Sequence, residues 1–149
     1  MGQHRQMSLI VTDEDVQIGP GDGRSSYPAL TVRQPHAWGL IYGSKRIENR
    51  SWTTDYRGPV VIHAGSSRAD LGACREYPGL ADPATLRFGV IYGVVDMYDV
   101  VPLAAVRGGP YAQGPWCWLT RDPRPCVPRR WRGEQGLFEV PAHAVLFTR

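Results

Sequence analysis

Hydrophobic and polar positions change period several times along the chain. In "YPALTVRQP", Leu30 and Val32 alternate with Ala29, Thr31 and Arg33, the two-residue period of a short strand. In "QPHAWGLIYG", Pro35 suits the first helical position, where its missing N–H costs nothing, and Gly43 suits the left-handed residue that ends a helix. These signals predict a helix of about two turns, with Trp38, Leu40 and Ile41 facing the core. Alternation then returns. An extended "RIENRSW" puts Arg46, Glu48, Arg50 and Trp52 on one face and Ile47 and Asn49 on the other. "DYRGPVVIHAG" reads as a turn and a strand, and "GVIYGVVDMYDVV" as a longer strand in which Gly93 marks a bulge or a close backbone approach. Residues 66–86 read as helix interrupted by Pro78. "PWCWLT" and "GLFEVP" are two more strands, bracketing a loop, "RDPRPCVPRRWRG". One short helix among about five or six mostly short strands predicts an α+β, β-rich fold: a small twisted barrel with flanking helices.

A length of 149 residues allows one domain with a full hydrophobic core. Residues 1–26 differ from the rest in being acidic and then Gly-rich, which predicts an N-terminal tail, with "SLIVTDEDV" as a possible added strand, ahead of a domain over 27–149. No internal repeat is visible. Splitting the chain there changes the charge picture: the net +3 of the whole becomes −2 for residues 1–26 and +5 for the body. A modest basic excess is compatible with a phosphate-bearing partner and equally with simple solubility. Cys74, Cys117 and Cys126 are odd in number and form no C-x-x-C pair, so a reduced, cytoplasmic protein is expected. No membrane span, signal-peptide core or myristoylation signal is found. His36, His63 and His143 have no metal-ligand spacing, and no nucleotide-binding fingerprint is present, so neither metal nor cofactor is expected.

Of the 17 basic residues 16 are Arg, and the one lysine is Lys45. Lysine is a point charge whose pKa falls readily on desolvation, so it can give or take a proton, whereas arginine stays charged. Glu48 is placed to hold that ammonium or to act as acid or base, and Arg50 to clamp a phosphate or carboxylate. The same residues also make an ordinary charged strand face. Among the five tryptophans, Trp38 and Trp118 are assigned to the core; Trp52 shares a face with Glu48 and Arg50 and is the best candidate to stack on a base. The loop gathers Arg121, Arg124, Arg129, Arg130 and Arg132 against Asp122, a run that suits a phosphate backbone and also suits a solvated surface. His63 in "VVIHAG" reads as an interior histidine, and Asp96 as a catalytic carboxylate only if it points inward.

These residues resemble a known family. "LTVRQPHAWGLIYGSKRIENRSW" is similar to the signature of the ASCH (activating signal cointegrator homology) domain, G-x-K-x-x-E-x-R after a short helix, here Gly43, Lys45, Glu48 and Arg50. The likeness continues in "YRGPVVIHAG", "GVIYGVVDMYDVV" and the closing "GPWCWLTRDPRP…RGEQGLFEVP", covering about 27–141. The resemblance implies a PUA-like β-barrel with flanking helices and a cleft that gathers the motif lysine, glutamate and arginine. It also implies RNA or other nucleic-acid binding, with small relatives that deacetylate N4-acetylcytidine and others proposed as ribonucleases. In the amidohydrolase relatives the third residue after the lysine is a threonine; here it is Glu48. An acyl-enzyme on a hydroxyl at that position is therefore excluded.

Two readings follow. As a binding module for single-stranded nucleic acid or a modified nucleoside, the cleft would use Lys45 and Arg50 on phosphate or base oxygens, Glu48 on a base amino group and Trp52 for stacking, with Gln34 and Pro35 lining the same cleft. As a hydrolase of a modified nucleoside, Lys45 and Glu48 would be the acid/base pair. A protein-interaction module is the third possibility.

Overall fold

The computed structural model describes residues 16–148. Its strands are β1 (Val16–Ile18), β2 (Ser26–Val32), β3 (Ile47–Arg50), β4 (Gly58–Ala64), β5 (Val90–Pro102), β6 (Trp116–Arg130), β7 (Phe138–Pro141) and β8 (Leu146–Thr148), with helix α1 (His36–Ile41) between β2 and β3. The main path runs β1-β8-β6-β5-β4-β2-β7, and β3 pairs with the first part of β6. All pairs are antiparallel except β2 with β4, which run parallel from Ala29↔Val61 to Val32↔Ala64. A parallel pair needs a crossover, and α1 with β3 supplies it.

The apolar run of β4 has a simple cause. Val60 and Ile62 enter one core with Leu30, Leu40, Ile41 and Trp118, while Val61 enters a second core, with Ala29, Ile91, Phe138 and Phe147. A strand buried on both faces loses its polar alternation.

The sheet is β-rich as expected, but hydrogen bonding does not close it into a barrel: the path ends at β1 and β7. β7 pairs with β2 only as far as Ala29, so Leu30–Val32 lack a strand on that side, while β3 is held on β6. A seam is thus left between the end of β2 and β3.

Several local expectations are corrected. The Arg-rich loop is strand: β6 runs for 15 residues through Pro123, Pro125 and Pro128. Register shifts against β5 between Ile91/Gly93, Val94/Asp96 and Met97/Asp99 absorb the irregular residues, among them Asp122 at φ 53°. Residues 66–86 form only short 3₁₀ turns, Leu71–Glu76 and Pro83–Thr85, because Pro78 and Pro83 interrupt any longer run. Pro35 is the residue before α1 rather than its first residue, and the Gln34 side-chain oxygen accepts the Trp38 N–H at 2.9 Å. Gly43 is not left-handed; it is glycine because a Cβ there would lie 2.9 Å from Trp38 Cζ3 and 3.1 Å from the Gly39 backbone. Asp96 does not point to an interior site: it pairs with exposed Arg121 at 2.7 Å. Trp118 is core, whereas Trp38 is half-buried and joins the main core to a small one of Tyr77, Leu80 and Leu86.

Before β2 the chain is not all tail. β1 pairs with β8, the Tyr27 hydroxyl donates to Asp22 (2.6 Å), and Arg24 donates to the Tyr56 hydroxyl (2.7 Å). The strand expected over "SLIVTDEDV" lies, except for Val16, outside the described residues.

Candidate functional site

A cleft of about 660 Å³ opens at the seam between β2 and β3. Helix α1 contributes His36 to its lining, and the turn after the helix contributes Lys45. The chain leaves the helix with Lys45 N–H donating back to the Gly39 carbonyl (3.1 Å), which turns the Lys45 side chain inward ahead of β3. Extended backbone then puts Glu48 and Arg50 on that same side, as their spacing predicts.

Lys45 and Glu48 are 5% and 8% exposed, values typical of the apolar core. Lys45 Nζ lies 3.5 Å from Glu48 Oε1, and Arg50 Nη2 lies 3.0 Å from Glu48 Oε2. Arg50 Nη2 also donates to the Thr31 carbonyl at 2.6 Å. The guanidinium therefore bridges the seam that no backbone ladder closes. Arg50 Nε is buried with no hydrogen-bond partner among the described residues.

Trp52 lines the cleft half-buried, its ring edge-to-face on Trp118 at 4.7 Å. Opposite, the Tyr77 and Tyr111 rings stack in parallel, 5.5 Å between centroids, and Lys45 Nζ sits 5.9 Å from the Tyr111 centroid. Tyr111 is held there by Asn49, whose amide nitrogen donates to the Tyr111 carbonyl (2.9 Å) and whose oxygen accepts from the N–H groups of Gln113 and Gly114 (both 2.8 Å). His36 Nδ1 is 2.7 Å from the Tyr77 hydroxyl and its Nε2 is 3.7 Å from Asp70 Oδ2. Burial, helped by the Lys45 charge, lowers the His36 pKa below the ordinary histidine value; burial raises that of Tyr77.

The charged lining alternates in sign: Arg33, Lys45 and Arg50 against Glu48, Asp70, Glu76 and Glu134. This is not a basic funnel. It offers fixed donors and acceptors beside flat rings, a chemistry that matches a polar heterocycle better than a chain of phosphates.

The structure brings Lys45, Glu48, Arg50 and Trp52 together, and it separates the other expected residues from them. Gln34 and Pro35 are buried and do not line the cleft; besides its bond to Trp38, Gln34 donates to the Arg87 carbonyl at 2.9 Å, so both ends of its amide are used structurally. None of Arg121, Arg124, Arg129, Arg130 and Arg132 lines the cleft. Arg121 pairs with Asp96, Arg124 lies over the Phe147 ring (3.8 Å) and Arg129 over the Trp131 ring (5.7 Å). Arg132 alone borders an adjoining recess, which shares Thr31, Glu134 and Gln135 with the cleft. Reading the sequence missed Asn49, His36, Tyr77 and Tyr111. For the tyrosines a signal existed, since each is an aromatic in a Gly/Pro-rich stretch, "REYPGL" and "GGPYAQG".

No group of His, Cys, Asp and Glu among the described residues is arranged to hold a metal ion. No described helix is long and apolar enough to cross a membrane.

The model of the ASCH domain matches residues 30–114, more than half of the chain. The protein belongs to the ASCH domain family. ASCH domains are in general nucleic-acid-binding modules of PUA-like type. The match spans β2 to β5 with the whole Gly43-Lys45-Glu48-Arg50 motif and stops before β6, so the Arg-rich strand lies beyond it. Among curated proteins no match to the chain is found.

Proposed function

We propose that this ASCH domain captures one unpaired base of an RNA strand, or the base of a modified nucleoside, in the cleft at the β2/β3 seam. The observation that carries the reading is the Lys45–Glu48–Arg50 chain, its first two members buried, in a cleft also lined by the Trp52 and Tyr111 rings. Glu48 accepts from an exocyclic amino group, Lys45 and Arg50 donate to ring or phosphate oxygens, and Trp52 supplies a stacking face. Because acidic side chains alternate with basic ones, the base enters and most of the phosphates stay outside. The cleft volume lies within the usual range for small-molecule sites. Isothermal titration with single-stranded and duplex RNA tests this: single strands bind preferentially, and Lys45→Ala and Glu48→Gln each weaken binding by roughly 10-fold or more. Unchanged affinity in both variants, with folding intact, would sink the proposal.

The 3.5 Å contact between Lys45 and Glu48 also favours a second reading, hydrolysis of an N4-acetylated cytidine. Glu48 would take a proton from water as the oxygen attacks the acetyl carbonyl, and Lys45 would hydrogen-bond the developing oxyanion. Collapse breaks the C–N bond, the proton passes from Glu48 to the departing amine, and cytidine and acetate result. A proton NMR time course on the acetyl methyl signal decides. If free acetate forms with the wild type and not with Lys45→Arg, the protein is an amidohydrolase; if no acetate forms, this hydrolysis is ruled out and the binding reading stays in front.

A further inference from the structure

Behind the stacked Tyr77 and Tyr111 rings lies a second recess of about 340 Å³, whose walls include Trp38, Tyr42, Gly43, Gly79 and the two tyrosines. Both tyrosines also line the cleft, so the ring pair is the partition between the two spaces. We propose that this recess is a second stacking subsite, which takes the base adjacent to the one in the cleft and makes the ligand a single-stranded segment of at least two nucleotides. The inference rests on the cleft reading above and deepens it.

The recess is built from flat faces. Trp38 and Tyr42 stand one turn apart on α1 and just past it, with rings 6.5 Å apart and 26° from parallel. Tyr42 is 50% exposed, the most exposed large hydrophobic residue described, yet it is held in place by an edge contact with Tyr92 at 5.5 Å. Two glycines keep the Trp38 ring reachable: a Cβ at Gly43 would lie 2.9 Å from Trp38 Cζ3, and one at Gly79 would lie 3.3 Å from Cη2.

The lining suits a base rather than a phosphate: the cleft has four acidic residues in its wall, whereas the recess carries no charged side chain at all. A base in the cleft lies against Trp52 and Tyr111 and one in the recess against Trp38 and Tyr42, with the connecting phosphate passing the rim; Tyr77, 2% exposed, backs Tyr111 and offers no free face of its own. Stacking is indifferent to base identity, so this subsite contributes affinity and polarity of the strand rather than sequence choice.

The test compares the four nucleoside 5′-monophosphates with the matching single-stranded ribotrinucleotides, by titration against wild type, Tyr42→Ala and Tyr42→Phe. The expected result is that trinucleotides bind wild type at least 10-fold more tightly than monophosphates. Tyr42→Ala should lose roughly 5- to 100-fold of the trinucleotide affinity with monophosphate binding unchanged, and Tyr42→Phe, which keeps the ring, should restore it. Trinucleotide affinity unaffected by Tyr42→Ala overturns the second subsite and leaves the cleft reading standing. Trinucleotide binding that depends on Tyr42 but not on Lys45→Ala or Glu48→Gln removes the cleft reading and with it the two-base arrangement, leaving the recess as a separate stacking site. No binding of any trinucleotide to wild type removes both.

Discussion

Lys45 and Glu48 are buried like core residues while carrying opposite charges. A buried ion pair is a poor source of stability, because apolar residues of the same volume often do as well or better, so stability does not account for this one. His63 shows the contrasting case of a buried polar residue that is fully occupied. Its Nε2 lies 2.7 Å from the Trp131 carbonyl, which can only accept, so Nε2 carries the hydrogen and Nδ1 accepts from the Thr31 hydroxyl at 3.1 Å. Burial lowers its pKa below the ordinary value, as it does for His36. The unfolded chain therefore takes up protons first, at about pH 6.5, and stability falls as the pH drops from there toward the folded-state pKa; above that window neither histidine contributes. Urea midpoints at pH 5.5 and 7.5 check this. The wild type is less stable at the lower pH, and His63→Gln reduces the difference; equal pH dependence in both proteins would remove His63 as a cause.

Among the elements, α1 and β5 are matched through one missing side chain. A Cβ on Gly93 would fall 2.5 Å from Ile41 Cδ1 and 2.8 Å from both its Cγ atoms, so the whole buried Ile41 side chain would have to move. Register shifts flank the same glycine in both ladders of β5. The bulge expected at Gly93 lies directly beside it, whereas what approaches the glycine is the Ile41 side chain and not another backbone. Gly93→Ala should cost about 1–3 kcal/mol by overpacking, and Ile41→Val in the same chain should recover part of it, as read from denaturant midpoints. If Gly93→Ala is neutral, α1 is not locked against β5 in this way. Gly39 serves a related purpose on the other side of the helix, where the Tyr77 ring packs directly on it and so reaches His36. β6 is the element hardest to read in the sequence. Three prolines and a cluster of arginines look like a loop, but register shifts against β5 leave Asp122, Pro123 and Pro128 between paired residues, while Pro125 sits in the ladder opposite Gly93.

On the scale of the whole molecule, the open seam and the distribution of arginines decide how a strand of RNA would lie. If RNA phosphates run from the cleft toward Arg132, then Arg129→Gln combined with Arg132→Gln lowers the slope of log affinity against log salt by about 0.7 for each phosphate no longer neutralised. Arg121→Gln, at a residue already paired with Asp96, leaves the slope unchanged. An unaltered slope in the double variant would place the backbone elsewhere. The sequence by itself determined the β-rich class, the strands at β2, β4, β5 and β7, the short helix after β2 and the nearness of Lys45, Glu48 and Arg50, because all of these depend on local period, glycine and proline chemistry, or short spacing along the chain. Only the tertiary structure decided that the sheet stays open beside β2, that Arg50 spans the gap to Thr31, and that Tyr77 and Tyr111 meet across 34 positions of sequence. Long-range pairing depends on which backbone groups and side-chain volumes remain to be satisfied once the local elements have formed, and no periodicity in one segment carries that information.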